Sequence, residues 1–136
     1  MIQRLSHATV YVLDQDRAKD FYVDKLGFEV RTDQSMGDFR WLTVGPRGQP
    51  DVELILMKIA SGPTLDEATA QQLRALVEKG TFGVGVLETA DVRKDYRELS
   101  EKGVRFKFQP ADRPYGIETV MQDDSGNWFS VVQRPG

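Results

Sequence analysis

The feature that most constrains the fold is a repeat, because both halves of the chain show the same order of predicted elements. In each half, a segment of alternating apolar residues is followed by an amphipathic helix, a closing glycine and three further strand candidates. The two helices also share sequence, since Lys19-Asp20-Phe21 matches Lys94-Asp95-Tyr96 in the second helix. The sequence therefore predicts an α+β fold made of two βαβββ modules.

The boundaries of the repeated elements follow from periodicity and turn residues. Asp14 or Asp16 is expected to cap the first helix and Asp91 the second, and Gly27 and Gly103 are expected to end them. The strands are predicted at residues 5–13, 28–32, 39–44 and 52–59 in the first half and at residues 82–88, 104–108, 115–122 and 127–133 in the second.

A connecting helix is predicted between the modules, at about residues 64–79. Thr64 and Glu67 have the spacing of a capping box, in which both side chains satisfy free backbone donors. One module alone has too few strands for an independent core, so we expect residues 1–136 to form a single domain. Its modules are expected at about residues 4–59 and 81–133.

Composition narrows the class of partner. The net charge is −3 and acidic and basic residues are interleaved, so there is no basic stripe of the kind that nucleic-acid binding requires. No apolar run approaches the roughly 20 residues that span a bilayer. The chain has no cysteine, and its start does not resemble a signal peptide, which favours a cytoplasmic location. The expected partner is a small molecule or a second copy of the chain.

Two polar residues in predicted strands are candidates for chemistry. His7 is the only histidine, and its pKa range suits a general base or a metal ligand; the alternative is a histidine that simply forms hydrogen bonds at a strand edge. Glu53 interrupts the apolar segment 52–57, where a carboxylate is costly unless it is paired. The alternative for Glu53 is a position at the exposed start of its strand. Gly83 and Gly85 lie inside a strand and predict a close backbone approach.

The order of these motifs resembles the vicinal oxygen chelate family, which includes glyoxalases, bleomycin-resistance proteins and extradiol dioxygenases. The resemblance rests on the His7 strand, the helix end from Phe21 to Phe28, and Pro114-Tyr115-Gly116 followed by the turn Asp123-Asp124-Ser125-Gly126-Asn127. It covers roughly residues 4–133. It implies curved mixed sheets, one in each module, that together enclose a cleft for a small molecule, and a homodimer with this cleft either within one chain or shared between two.

The resemblance also implies where a metal would bind. Enzymatic members of the family hold a divalent ion with four side chains from the first and last strands of each module. His7 and Glu53 match two of these positions, whereas the other two are occupied by Val84 and Ser130. A Zn, Ni, Fe or Mn ion would therefore have only His7 and Glu53 as ligands, fewer than such ions require. Glu88 and Glu118 are substitute candidates, but Glu88 lies at a strand end and alternation places Glu118 on the face opposite Tyr115.

Aromatic residues complete the predicted site. Phe39 and Trp41 alternate on one face of their strand and are expected to line the pocket, together with Tyr115, Trp128 and Ser130 of the second module. The alternative for each aromatic residue is a place in the core. Three functions remain open: a small-molecule binder without a complete metal site, a metal-free enzyme with Glu53 or His7 as general base, and a metal-dependent lyase, isomerase or dioxygenase. We rank the binder first.

Overall fold

The computed structural model describes all 136 residues and contains two four-stranded mixed sheets of the same topology. In the first sheet, the strand order is β1-β4-β3-β2, and in the second it is β5-β8-β7-β6. The first and last strands of each module run parallel, and the other neighbours run antiparallel. The strands are β1 (His7–Val12), β2 (Glu29–Met36), β3 (Phe39–Gly45), β4 (Glu53–Lys58), β5 (Gly83–Glu88), β6 (Arg105–Arg113), β7 (Gly116–Gln122) and β8 (Trp128–Gln133). The predicted α+β fold of two βαβββ modules is confirmed.

Three helical elements complete the fold: α1 (Gln15–Asp20), which continues as a π-helical segment (Phe21–Lys25), α2 (Glu67–Glu78) and α3 (Val92–Glu101). Asp14 caps α1 by accepting the N–H of Arg17, and Asp91 caps α3 by accepting the N–H of Lys94, as the sequence predicted. None of these helices has the length and apolar character that a membrane span requires.

The start of the connecting helix α2 differs from the prediction. Its cap is Asp66, whose carboxylate accepts the N–H of Thr69 at 2.7 Å, and the helix begins at Glu67. The prediction that Thr64 and Glu67 form a capping box is therefore wrong. The physical reason is that the Asp66 carboxylate, a charged acceptor at the correct spacing, satisfies the free N–H and fixes the helix start two residues later.

A single core joins the two modules. It contains the helix-side faces of both sheets, with Phe21 and Tyr22 of the first helical element between them. The Tyr22 ring lies 6.3 Å from the Phe129 ring of β8, and the ends of the two module helices meet where Lys102 donates to the carbonyls of Asp24 and Lys25. Since the helix-side faces share this core, the other face of each sheet is turned away from the other module.

The turn between β7 and β8 fixes one module to the other. Asp123 accepts the backbone N–H groups of Ser125, Gly126 and Asn127 through one carboxylate oxygen, and the hydroxyl of Tyr22 donates to the other oxygen at 2.7 Å. Burial, and then the Asp123 carboxylate, raise the pKa of Tyr22, so this phenol stays protonated and continues to donate. The turn is thus both a hairpin and an anchor for the first helix.

Two further hydrogen bonds connect this turn with β1 of the first module. The Asn127 side chain donates to the carbonyl of Tyr11 at 2.8 Å, and the backbone N–H of Leu13 donates to the Ser125 hydroxyl at 2.9 Å. Both bonds join residues more than a hundred positions apart in sequence. The relative position of the sheets is therefore set by specific polar contacts as well as by the core.

Candidate functional site

The first candidate surface is the face of the first sheet that points away from the core. We call it the first outer face, and define it by His7, Phe39, Trp41, Thr43 and Glu53. Strand alternation places these side chains together, because β1 and β4 pair in parallel with His7 opposite Glu53, and β3 lies beside β4. The face therefore combines two aromatic rings with an imidazole and a carboxylate.

Polar contacts on the first outer face are centred on Glu53. The hydroxyl of Thr43 donates to the Glu53 carboxylate at 2.7 Å, and the same oxygen lies 3.7 Å from Nε2 of His7. That distance is longer than a hydrogen bond, so His7 and Glu53 are not directly hydrogen-bonded. His7 instead has its Nδ1 2.9 Å from the Ser6 hydroxyl. An ion pair with Glu53 forms only when the imidazole is protonated.

The aromatic rings of this face lie at the surface. The Trp41 ring lies 5.9 Å from the His7 ring and 6.5 Å from the Phe39 ring, and Phe39 is 43% exposed. Neither residue belongs to the buried core. An aromatic group exposed next to a half-buried indole is available for contact with another molecule.

The second candidate surface is the corresponding face of the second sheet. We call it the second outer face, and define it by Phe108, Tyr115, Glu118, Trp128 and Ser130. Glu118, whose side chain is only 16% exposed, accepts the Tyr115 hydroxyl at 2.8 Å and the Ser130 hydroxyl at 3.0 Å. The bond to Glu118 raises the pKa of the Tyr115 phenol. Each outer face therefore has a carboxylate that accepts hydrogen bonds from neighbouring hydroxyl groups.

The position of Glu118 corrects the sequence interpretation. Alternation from Tyr115 placed Glu118 on the opposite face, but the Tyr115 hydroxyl donates to Glu118. The reason is that β7 begins at Gly116, so Tyr115 lies in the turn, where strand alternation does not apply. Glu118 was thus predicted only as a substitute metal ligand on the wrong face, and Phe108 was not predicted as a site residue. The Nε of Arg113 lies 3.7 Å from the Glu118 carboxylate. The turn dipeptide before Gly116 was the signal that alternation should stop there.

Trp128 lies flat against the backbone of the neighbouring strand. A Cβ atom at Gly83 would lie 2.3 Å from the Trp128 ring, so only glycine leaves room for the indole, whereas Gly85 has open space around it. The close approach predicted for Gly83 is confirmed, and that for Gly85 is wrong. The Lys107 ammonium lies over the Trp128 ring, 5.2 Å from its centroid, in a cation–π arrangement.

The predicted pocket residues form two separate groups in one chain. Phe39 and Trp41 lie on the first outer face, and Tyr115, Trp128 and Ser130 lie on the second. No ring contact or hydrogen bond connects the groups, because the helix-side faces of the two sheets share the core and the outer faces point away from each other. A cleft that contains all of these residues therefore needs one face from each of two chains.

The residues of one chain do not fit a divalent metal centre. His7 and Glu53 are two donors where three or four are needed, and no group of three or more histidine, aspartate or glutamate side chains lies together. Val84, at the third family position, packs against the core, and the hydroxyl of Ser130, at the fourth, donates a hydrogen bond to Glu118. The Glu118 carboxylate lies on the second outer face, away from His7 and Glu53 of the same chain, and is already close to Arg113.

A large cavity lies elsewhere in the molecule. It measures about 690 Å³ and lies between the modules, with Phe28, Leu99 and Met121 among its lining residues. Its charged groups include Glu88 and Arg134, which pair with each other at 2.6 Å. A second cavity of about 360 Å³ adjoins Phe39 of the first outer face. The exposed aromatic rings, and the carboxylates that accept hydrogen bonds from hydroxyl groups, occur instead on the outer faces, which are therefore the candidate site.

Two βαβββ modules with this strand order are the fold of the glyoxalase class of proteins. The family model described as the Glyoxalase/Bleomycin resistance protein/Dioxygenase superfamily matches residues 4–131, and the chain belongs to this family. Among curated proteins, it is similar to YurT of Bacillus subtilis strain 168, an uncharacterised protein, with 36% identity over 93% of this chain and 95% of YurT.

Solved structures show the same relationship. The crystal structure of UcmS2 is similar to this chain at 52% identity and a TM-score of 0.91, covering 97% of this chain and 98% of UcmS2. TnmS3, described as an antibiotic-binding protein from Streptomyces sp. CB03234, is similar at 32% identity and a TM-score of 0.77, covering 98% of each chain. The chain therefore has relatives of its full length in a family that includes an antibiotic-binding protein.

Proposed function

We propose that this protein is a homodimer that binds an aromatic small molecule, of the kind represented by antibiotics, in a cleft between the first outer face of one chain and the second outer face of its partner. The observation that supports this proposal best is the exposure of aromatic rings on two faces that cannot meet within one chain. The antibiotic-binding relative TnmS3 supports the ligand class. The cysteine-free sequence favours the reducing cytoplasm as the compartment.

The polar groups of both faces favour binding over reaction. Glu53 and Glu118 each accept hydrogen bonds from the hydroxyl groups of neighbouring side chains, and these bonds hold the carboxylates in fixed positions. Fixed acceptors and aromatic surfaces are suited to orienting a ligand. A metal-dependent reaction is not proposed, because two of the family's four ligand positions are Val84 and Ser130, and the Glu118 carboxylate already has Tyr115, Ser130 and Arg113 as partners.

A metal-free enzyme is the second candidate, and one observation favours it. The imidazole of His7 lies within 3.7 Å of the Glu53 carboxylate beside an aromatic ring, so a ligand held there would meet two groups able to accept a proton. This candidate predicts that the protein converts a bound ligand slowly, and that Glu53→Gln abolishes conversion while binding of the ligand remains measurable. Binding with no product after prolonged incubation would leave the binder as the function.

Ligand binding can be tested with the protein's own fluorescence. The chain has only two tryptophans, Trp41 and Trp128, and they lie on different outer faces. We propose to titrate a panel of fused-ring aromatic antibiotics, with quenching of tryptophan emission and isothermal titration calorimetry as readouts. The proposal predicts binding of at least one compound and a loss of about tenfold or more in affinity for Trp41→Ala and for Trp128→Ala.

The control is Tyr96→Leu, which removes an aromatic ring that packs against Phe106 on the helix side of the second sheet, away from both outer faces. This variant should bind the antibiotic with unchanged affinity. Binding that is insensitive to Trp41→Ala and Trp128→Ala would contradict the proposed cleft.

A further inference from the structure

We infer that the cleft selects aromatic ligands that carry hydroxyl or amino groups as hydrogen-bond donors, and rejects ligands in which these groups are methylated or replaced by anions. The inference rests on the proposed function, because it concerns the same two outer faces. It depends on which hydroxyl groups already donate a hydrogen bond within the protein and therefore cannot donate one to a ligand.

On the second outer face, the Glu118 carboxylate accepts hydrogen bonds from two hydroxyl groups. Tyr115 donates to it at 2.8 Å and Ser130 at 3.0 Å. A hydroxyl group has a single proton to donate, so both oxygens present only lone pairs to a bound molecule. The Glu118 carboxylate is itself an acceptor only. This group of three side chains can therefore accept hydrogen bonds from a ligand but has no hydroxyl proton left to donate.

The first outer face has the same arrangement with different residues. The fully buried Thr43 donates its hydroxyl proton to Glu53 at 2.7 Å. The second oxygen of the Glu53 carboxylate receives no hydrogen bond within the chain, so it is free to accept one from a ligand. Carboxylate acceptors thus occur on both walls of the proposed cleft.

The cations near the second outer face lie further out than Glu118. The Arg113 side chain is 39% exposed and its guanidinium lies over the Phe108 ring at 5.5 Å, whereas the Glu118 side chain is 16% exposed. Lys107 is exposed and lies over the Trp128 ring. A ligand that reaches the interior of this face therefore meets Glu118 and the lone pairs of its two partners, while an anion would be held only at the rim.

The test uses three probes with the same aromatic body. Isothermal titration calorimetry of the full-length protein would compare 2,6-dihydroxynaphthalene, 2,6-dimethoxynaphthalene and 2,6-naphthalenedicarboxylate. We expect the dihydroxy compound to bind at least about tenfold more tightly than either of the others, since each hydrogen bond to a buried charged acceptor contributes about that factor. Equal binding of the dihydroxy and dimethoxy compounds, or tightest binding of the dicarboxylate, would overturn this inference but leave the proposed function in place.

Glu118→Gln provides the matched variant. The amide group can donate, and it releases the Tyr115 and Ser130 protons from a charged acceptor, so the preference for the dihydroxy probe should fall to about threefold or less. Glu98→Gln, which makes the same change at an exposed position on α3, should keep the full preference. An unchanged preference in Glu118→Gln would overturn the inference, and failure of all three probes to bind would overturn the inference and the proposed function together.

Discussion

At the scale of single residues, Asp124 is the least favourably placed ionisable group. Both of its carboxylate oxygens are shielded from solvent and lack a hydrogen-bond partner. Burial, and then the neighbouring Asp123 carboxylate, raise the pKa of Asp124 to about 6 from the usual 3.8. The folded protein therefore holds a proton on Asp124 at a pH where the unfolded chain has released it.

The expected effect of Asp124 on stability depends on pH. Below about pH 4 the carboxyl is protonated in both states and has no effect; as pH rises to 6 the unfolded state ionises first, so stability falls and the full penalty applies above pH 6. We predict that Asp124→Asn raises the free energy of unfolding by about 1–2 kcal/mol at pH 8, after allowance for partial exposure, and by little at pH 4. Urea denaturation at both pH values measures this difference. Asp24→Asn, at an exposed carboxylate of the same surface, is the control, and an equal gain for Asp124→Asn at both pH values would contradict the explanation.

Gly83 is the second residue with a specific consequence. A methyl group there would overlap the Trp128 ring, so Gly83→Ala should displace the indole and destabilise the protein by about 1–3 kcal/mol. The tryptophan emission spectrum should change as well. Gly85→Ala, two residues along the same strand and with open space around it, should leave both properties nearly unchanged. The same loss of stability in both variants would mean that the strand backbone, rather than the Trp128 contact, requires glycine.

At the scale of elements, the turn between β7 and β8 holds the two modules together. Asp123→Ala leaves three backbone N–H groups and the buried Tyr22 hydroxyl without their acceptor, so we expect a loss of at least about 3 kcal/mol in the free energy of unfolding. Tyr22→Phe removes one of these bonds and should cost less, about 1–2 kcal/mol. Chemical denaturation measures both. Asp112→Ala, at an exposed carboxylate on β6, should change little, and a similarly small effect of Asp123→Ala would contradict the anchoring role.

Most of the elements could be predicted because their signals are local. The caps Asp14 and Asp91 act on backbone groups three residues away, and strand alternation placed His7 and Glu53 on one sheet face, opposite the helix-covered side. The errors arose where a neighbouring residue competes for the same role. Asp66 replaced Thr64 as the cap of α2 by being the stronger acceptor at the correct spacing.

The candidate site was less predictable than the elements. Glu118 was assigned to the wrong face because the exact start of β7 decides which residues alternate with it, and strand boundaries are not fixed by periodicity. The sequence pattern also could not predict the direction in which each outer face points. That direction depends on how the two sheets pack through Tyr22 and Phe129, which are 107 residues apart and carry no local signal of their contact.

At the scale of the whole molecule, the proposed binding site is formed by two chains. The proposed dimer places the first outer face of one chain against the second outer face of its partner, so each dimer would contain two equivalent clefts. Exposed apolar side chains on both faces, including Phe39, Phe108 and Tyr115, would be covered by this arrangement. The shared cleft is the central claim.

The most direct test is complementation between two damaged chains. Trp41→Ala damages the first outer face and Trp128→Ala the second, so homodimers of either variant have no intact cleft. A heterodimer of the two, isolated through different affinity tags after co-expression, should bind one molecule of the aromatic ligand with wild-type affinity, because one cleft combines both undamaged faces. A heterodimer that binds as weakly as the two parent homodimers would contradict the shared cleft.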